Sequence, residues 1–121
     1  MDNNWLDFKD KIINEQVKAV FSYRDLNILD VNEFVSIAKF KVKSVAIPFQ
    51  THSVNVKKVS KEGNFGNVDG LFTSNSSIIC SIKVADCMPV FFIHKTKSFY
   101  GIVHVGWRGL VGGILKNAII L

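Results

Sequence analysis

"SIICSIKVADCMPVFFIHKTKSFYGIVHV", Ser77 to Val105, decides the fold class. Its apolar runs, Ser77–Ala85, Pro89–His94 and Phe99–Val105, are rich in isoleucine, valine and phenylalanine and predict three strands, because such side chains suit a pleated, buried surface. The short polar link "HKTKS" between the second and third predicts a hairpin. In an unbroken first strand Ile78, Cys80, Ile82 and Val84 share one face, which makes Cys80 a small core residue. Cys87 falls on the other parity, beside Asp86 and Pro89, where that strand hands over to the next.

Upstream, "KEGNFGNVDG" (Lys61–Gly70) reads as a long turn or flexible loop, and Ser44–Val59 reads as extended chain broken at Pro48. "DVNEFVSIAKF" sets Val31, Phe34, Val35 and Ala38 at helical spacing behind an Asp/Asn start and predicts a short helix from Asp30 to about Phe40. Gln16–Tyr23 alternates as a strand does. Downstream, Leu110–Leu121 has helical composition apart from Gly112 and Gly113. The predicted class is therefore α+β with mixed sheets. The final "NAIIL" is apolar and uncapped, so further residues are expected beyond Leu121.

The 121 residues suit one domain, 1–121, read as an incomplete one. A hydrophobic fraction of 48% with 21% charged residues fits fully buried strands. Lys83 and Asp86 interrupt the longest apolar run, and no stretch reaches the roughly 18 residues that cross a bilayer. The start, "MDNNWLDFKDKII", does not read as a secretory signal, and cytoplasm is the expected location. The net charge of +5 comes with scattered lysines rather than a basic face interleaved with aromatics, which argues against nucleic acid as a partner.

With only two cysteines in a cytoplasmic chain, metal binding, catalysis or burial accounts for them better than a disulfide. His52 in "FQTHSV" and His104 in "IVHVGWRG" both flank extended segments and lie 35 and 17 residues from Cys87. Two imidazoles and a thiolate make a plausible three-ligand zinc site with a fourth position for water, whose pKa zinc lowers toward neutrality. The spacing is not that of a local zinc finger. The plainer reading has His52 in a loop, Cys87 as a buried thiol and His104 as a core histidine. His94 reads as an exposed turn residue.

"QTHSV", "DGLFTS", "VADCMPVFF" and "GIVHVGWRG", in this order and spacing, resemble the signature of the YfiH-type laccase-domain family, polyphenol-oxidase-like proteins described as purine nucleoside-processing enzymes. The resemblance runs from about Val20 to Leu121 and matches the first half of a usual member. It implies a layered α/β sandwich with a metal in a surface cleft, held by His52, Cys87 and His104. It also implies phosphorolysis of adenosine, inosine, guanosine or methylthioadenosine, and deamination of adenosine. Purine nucleoside and phosphate are the partners so implied, and the missing second half is what completes the fold and the pocket in relatives; a homo-oligomer or that C-terminal segment is the expected protein partner.

Zinc is favoured because this chemistry is hydrolytic or phosphorolytic, although copper suits such ligands about as well. Asp86 is the nearest acid for proton transfer in deamination, or else a brace for an imidazole or turn. Arg108, in the turn before a helix, and Arg24, in "FSYR", are candidate phosphate donors because guanidinium forks match phosphate oxygens. Arg108 alternatively braces the turn and Arg24 pairs with Asp25, while Trp107 either stacks a base or, as the preferred reading, packs in the core beside the turn. The chain departs from the family pattern in "RDLNIL" after Arg24, in Ser53 where glycine is usual, and in Val105 where alanine is usual. Two other readings stand beside this one: a cysteine hydrolase with Cys87 as nucleophile and His104 as base, and a non-catalytic remnant of the fold.

Overall fold

The computed structural model describes residues 5–22, 30–85 and 87–120. Strands β1 (Trp5–Asp7) and β2 (Val20–Ser22) form an antiparallel pair. Helix α1 (Val31–Ile37) follows, with the Asp30 side chain accepting the Glu33 N–H at 2.8 Å as an N-cap. Strands β3 (Ser44–Phe49), β4 (Val56–Lys58), β5 (Gly63–Gly66), β6 (Gly70–Thr73), β7 (Ile78–Cys80), β8 (Met88–Ile93) and β9 (Tyr100–Val105) come next. Helices α2 (Trp107–Gly112) and α3 (Ile114–Ile119) close the order.

The strands build a parallel sheet, β5-β3-β7, and a mixed sheet, β4-β6-β9-β8. Side-chain alternation along single strands joins the layers. Ala46 and Ile78 face a core shared with Leu71 of the second sheet, whereas Val45 and Ile79 face the opposite way, toward Val35 of α1. Leu71 turns to the intersheet core, and its neighbour Phe72 packs with Val103, Val105, Ile114 and Ala118. The order of layers is thus α1, parallel sheet, mixed sheet, α3. This is the α+β sandwich with mixed sheets that the sequence predicts.

Four expectations need correction. The glycine-rich Lys61–Gly70 is not simply loop, because β5 lies within it and pairs in parallel with Ala46–Phe49. Pro48 does not break the strand. The Ala46 carbonyl accepts the Ser81 N–H from the β7 side, so Pro48, two residues on, turns its nitrogen the same way, past the last β7 pair at Ala46–Cys80. The first predicted strand is a strand only over Ile78–Cys80, and of the one predicted over Gln16–Tyr23 the described residues form a strand over Val20–Ser22, Tyr23 lying outside them. The hairpin does form, with β8 and β9 paired from Met88–Val105 to Ile93–Tyr100. Gly113, at φ 93°, separates α2 from α3. No described helix is long and apolar enough to cross a membrane.

Candidate metal centre

The site gathers at one end of the mixed sheet. β9 is an inner strand, and His104 lies near its end, opposite Pro89 of β8. Asp69 immediately precedes β6, on the other side of β9, and its carbonyl accepts the His104 backbone N–H at 2.6 Å. After Val105 the chain leaves the sheet at Gly106 and enters α2, while Cys87 lies just before β8.

The loop after β3 brings in His52. Thr51, His52 and Ser53 turn three consecutive backbone N–H groups onto the Asp69 carboxylate, at 3.1, 3.1 and 2.8 Å, and the Ser53 hydroxyl adds a bond of 2.7 Å. His52 sits at φ 60°, a left-handed conformation that non-glycine residues adopt only when their surroundings hold them there. Asp69 is fully buried, and its Oδ2 also meets Nδ1 of His104 at 2.7 Å. Burial pushes its pKa up, but the bonds from His104, Ser53 and Thr51 outweigh that and hold it below the ordinary 3.8. Nearby, the Gln50 side chain bonds both Lys83 N–H and Lys83 C=O at 2.7 Å, tying the end of β3 to the segment that leads into Cys87.

One ligand atom each from His52, Cys87 and His104 lies within 4.8 Å of the others, the three side chains being exposed, half-buried and buried in turn. The two imidazole centroids are 5.1 Å apart. Since Nδ1 of His104 faces Asp69, the nitrogen left for a metal is Nε2. Gly106 closes the floor of the site: a Cβ there would stand 3.1 Å from the Cys87 sulfur and 3.4 Å from the His52 ring. A thiolate, two imidazoles and a backbone held clear of them match what a three-ligand zinc or copper site needs. The donors open onto a cleft of about 330 Å³ lined by His52, Cys87, Gly106, Trp107 and Arg108.

Arg108 is therefore beside the ligands, but as an exposed residue in the first turn of α2 rather than in a turn before it. Its guanidinium lies 5.6 Å from the centre of the Trp107 ring. The core placement expected for Trp107 is wrong. The ring is 74% exposed, because α2 starts as the chain leaves the sheet and points its first side chain away from the layers. Asp86 and Arg24 lie outside the described residues.

His94 is exposed, and its Nδ1 accepts the Thr96 and Lys97 N–H groups within the turn. Cys80 packs against the intersheet core, where burial pushes its thiol up to about 12. Asp69 is the residue that reading the sequence missed. It stood in the quoted "DGLFTS" phrase, but an acid before a glycine suggests a turn, and only the folded chain shows five donors converging on it.

Comparison with known proteins gives the family of the chain. The family model described as multi-copper polyphenol oxidoreductase laccase matches residues 18–120. The chain is 34% identical over 80 residues to the purine nucleoside phosphorylase SERP0752 of Staphylococcus epidermidis, covering 58% of this chain and 30% of that protein. It is 33% identical over 80 residues to the purine nucleoside phosphorylase YlmD of Geobacillus stearothermophilus, covering 58% and 29%. The chain thus spans about a third of the length of these relatives. The crystal structure of YlmD from G. stearothermophilus superimposes with a TM-score of 0.69 at 26% identity, over 74% of this chain and 37% of that one. The Neisseria meningitidis protein NMB0706 shares the fold at 22% identity, with a TM-score of 0.80 over 98% of this chain and 57% of that one. With the family model matched across nearly all of its residues, the chain belongs to the multi-copper polyphenol oxidoreductase laccase family, of which it spans a part.

Proposed function

We propose that the chain carries the metal centre of a zinc-dependent purine nucleoside enzyme, one that cleaves adenosine, inosine, guanosine or methylthioadenosine with phosphate and deaminates adenosine. The convergence of His52, Cys87 and His104 within 4.8 Å is the observation on which this rests. The names of the relatives, purine nucleoside phosphorylases, supply the substrate class. When bound, zinc supplies Lewis-acid chemistry, polarising oxygen and making water acidic near neutral pH. Zinc is preferred to copper because neither reaction transfers electrons.

The chain's own groups have separable tasks. The thiolate of Cys87 and the two imidazoles hold the ion. Arg108, exposed at the cleft, offers a guanidinium fork to phosphate. Asp86, one residue from Cys87, is the acid nearest in sequence for moving a proton to the leaving amine, and Arg24 is the second candidate for phosphate.

The test is metal content and product analysis on the purified chain. Stoichiometric zinc that disappears in Cys87→Ser, with inosine formed from adenosine and adenine released only when phosphate is present, is the expected result. A folded, zinc-loaded sample that forms no product from adenosine, with or without phosphate, sinks the catalytic proposal and leaves a binding remnant.

One observation favours a second reading. Asp69, His104 and Cys87 follow the order orienter, base, nucleophile, with the 2.7 Å contact at Nδ1 of His104 leaving Nε2 for the thiol. A metal-free protein whose Cys87 is alkylated quickly by iodoacetamide, and more slowly in a folded His104→Ala variant, supports a cysteine hydrolase over the zinc enzyme.

A further inference from the structure

We infer that Asp69 is a positioning residue that sets both imidazoles of the centre through one buried carboxylate, fixing the tautomer of His104 and the backbone from which His52 projects. Its two oxygens divide the work. Oδ1 accepts from Thr51 N, Ser53 N and the Ser53 hydroxyl, while Oδ2 accepts from His52 N and faces Nδ1 of His104. Asp69 and His104 are 0% and 5% exposed. Were Nδ1 without a proton, two lone pairs would meet at 2.7 Å in this buried place. The proton therefore sits on Nδ1, and in the neutral ring Nε2 keeps its lone pair for the open side of the site. The same oxygen takes the His52 N–H, so the left-handed turn and the tautomer depend on one group.

An amide cannot replace this carboxylate. If Asn at position 69 keeps its oxygen in the place of Oδ1, its NH₂ group faces Nδ1 of His104 and the His52 N–H. It then donates to Nδ1, moves the ring proton to Nε2, and removes the lone pair on the metal side. Carboxylates that orient metal-bound histidines are typically worth about 10- to 100-fold in affinity.

The zinc arm of the test rests on the metal reading above, and the tautomer arm does not. Long-range ¹H–¹⁵N NMR on the metal-free protein at mildly alkaline pH is expected to show His104 protonated at Nδ1. In Asp69→Asn the proton is expected at Nε2, with the zinc Kd from chelator competition raised about 10- to 100-fold. Ser53→Ala, which removes a donor to Oδ1 without facing either ring, keeps the wild-type tautomer.

A wild-type protein with His104 protonated at Nε2 overturns the inference, and so does Asp69→Asn with wild-type tautomer and affinity. If Asp69→Asn fails to fold, the wild-type spectrum alone decides. If wild type binds no zinc, the metal reading falls while the tautomer still judges Asp69.

Discussion

Replacing Gly106 by alanine should weaken metal binding while leaving the fold nearly as stable as before. The added Cβ would stand 3.1 Å from the Cys87 sulfur and 3.4 Å from the His52 ring. Ordinary carbon contacts lie at about 3.5–4.0 Å, so the thiol must yield by several tenths of an ångström. A metal site keeps its distances within about 0.2 Å, and the displacement is at least twice that tolerance. A loss of about 10-fold in affinity, about 1.4 kcal/mol, is the expected scale.

The folding terms nearly cancel. Gly106 is extended, at φ −95° and ψ 175°, so alanine fits the backbone and gains about 0.4–1 kcal/mol from a less free unfolded chain. As the N-cap of α2, alanine is worse than glycine by about 0.5–1 kcal/mol. Chelator competition for zinc, beside a thermal melt of the metal-free protein, measures the two separately. A folded Gly106→Ala that binds zinc as tightly as wild type refutes the reasoning, since the thiol would then not be held against that backbone.

Other expectations address the clamp, the thiols and the core. The carboxyl of Asp69 is held below its ordinary 3.8, so the stability it contributes is fully present above that value and is lost as pH falls through the lower folded one. Acid titration of stability should therefore be steeper below 3.8 in wild type than in a folded Asp69→Asn, and equal slopes would count against the clamp. Cys80, pushed up to about 12, should remain an unreactive thiol at pH 8, so mass spectrometry after brief iodoacetamide treatment should find the label on Cys87, and less of it after zinc is added. Phe72 is 2% exposed in the core shared with α3, and Phe72→Ala should cost about 3–5 kcal/mol by urea denaturation. A cost under about 1 kcal/mol there would contradict the packing.

The sequence by itself determined what depends on neighbours along the chain. The Asp30 cap and the spacing of Val31, Phe34 and Val35 specify α1, and two apolar runs joined by "HKTKS" specify the β8–β9 hairpin. The parity of Cys80 marked it as a core residue. Family motifs named His52, Cys87 and His104 as a set, although their spacing alone could not.

Tertiary structure decided what depends on partners distant in sequence. A glycine-rich segment became β5 because Ala46–Phe49 offered it a parallel edge, and Pro48 stayed within a strand because β7 ends before reaching it. Trp107 turned outward because α2 leaves the sheet at that point. The role of Asp69 was invisible for the same reason. Its donors come from the loop after β3 and from β9, and a carboxylate becomes an organiser only where folding buries it among N–H groups that no local pattern brings together.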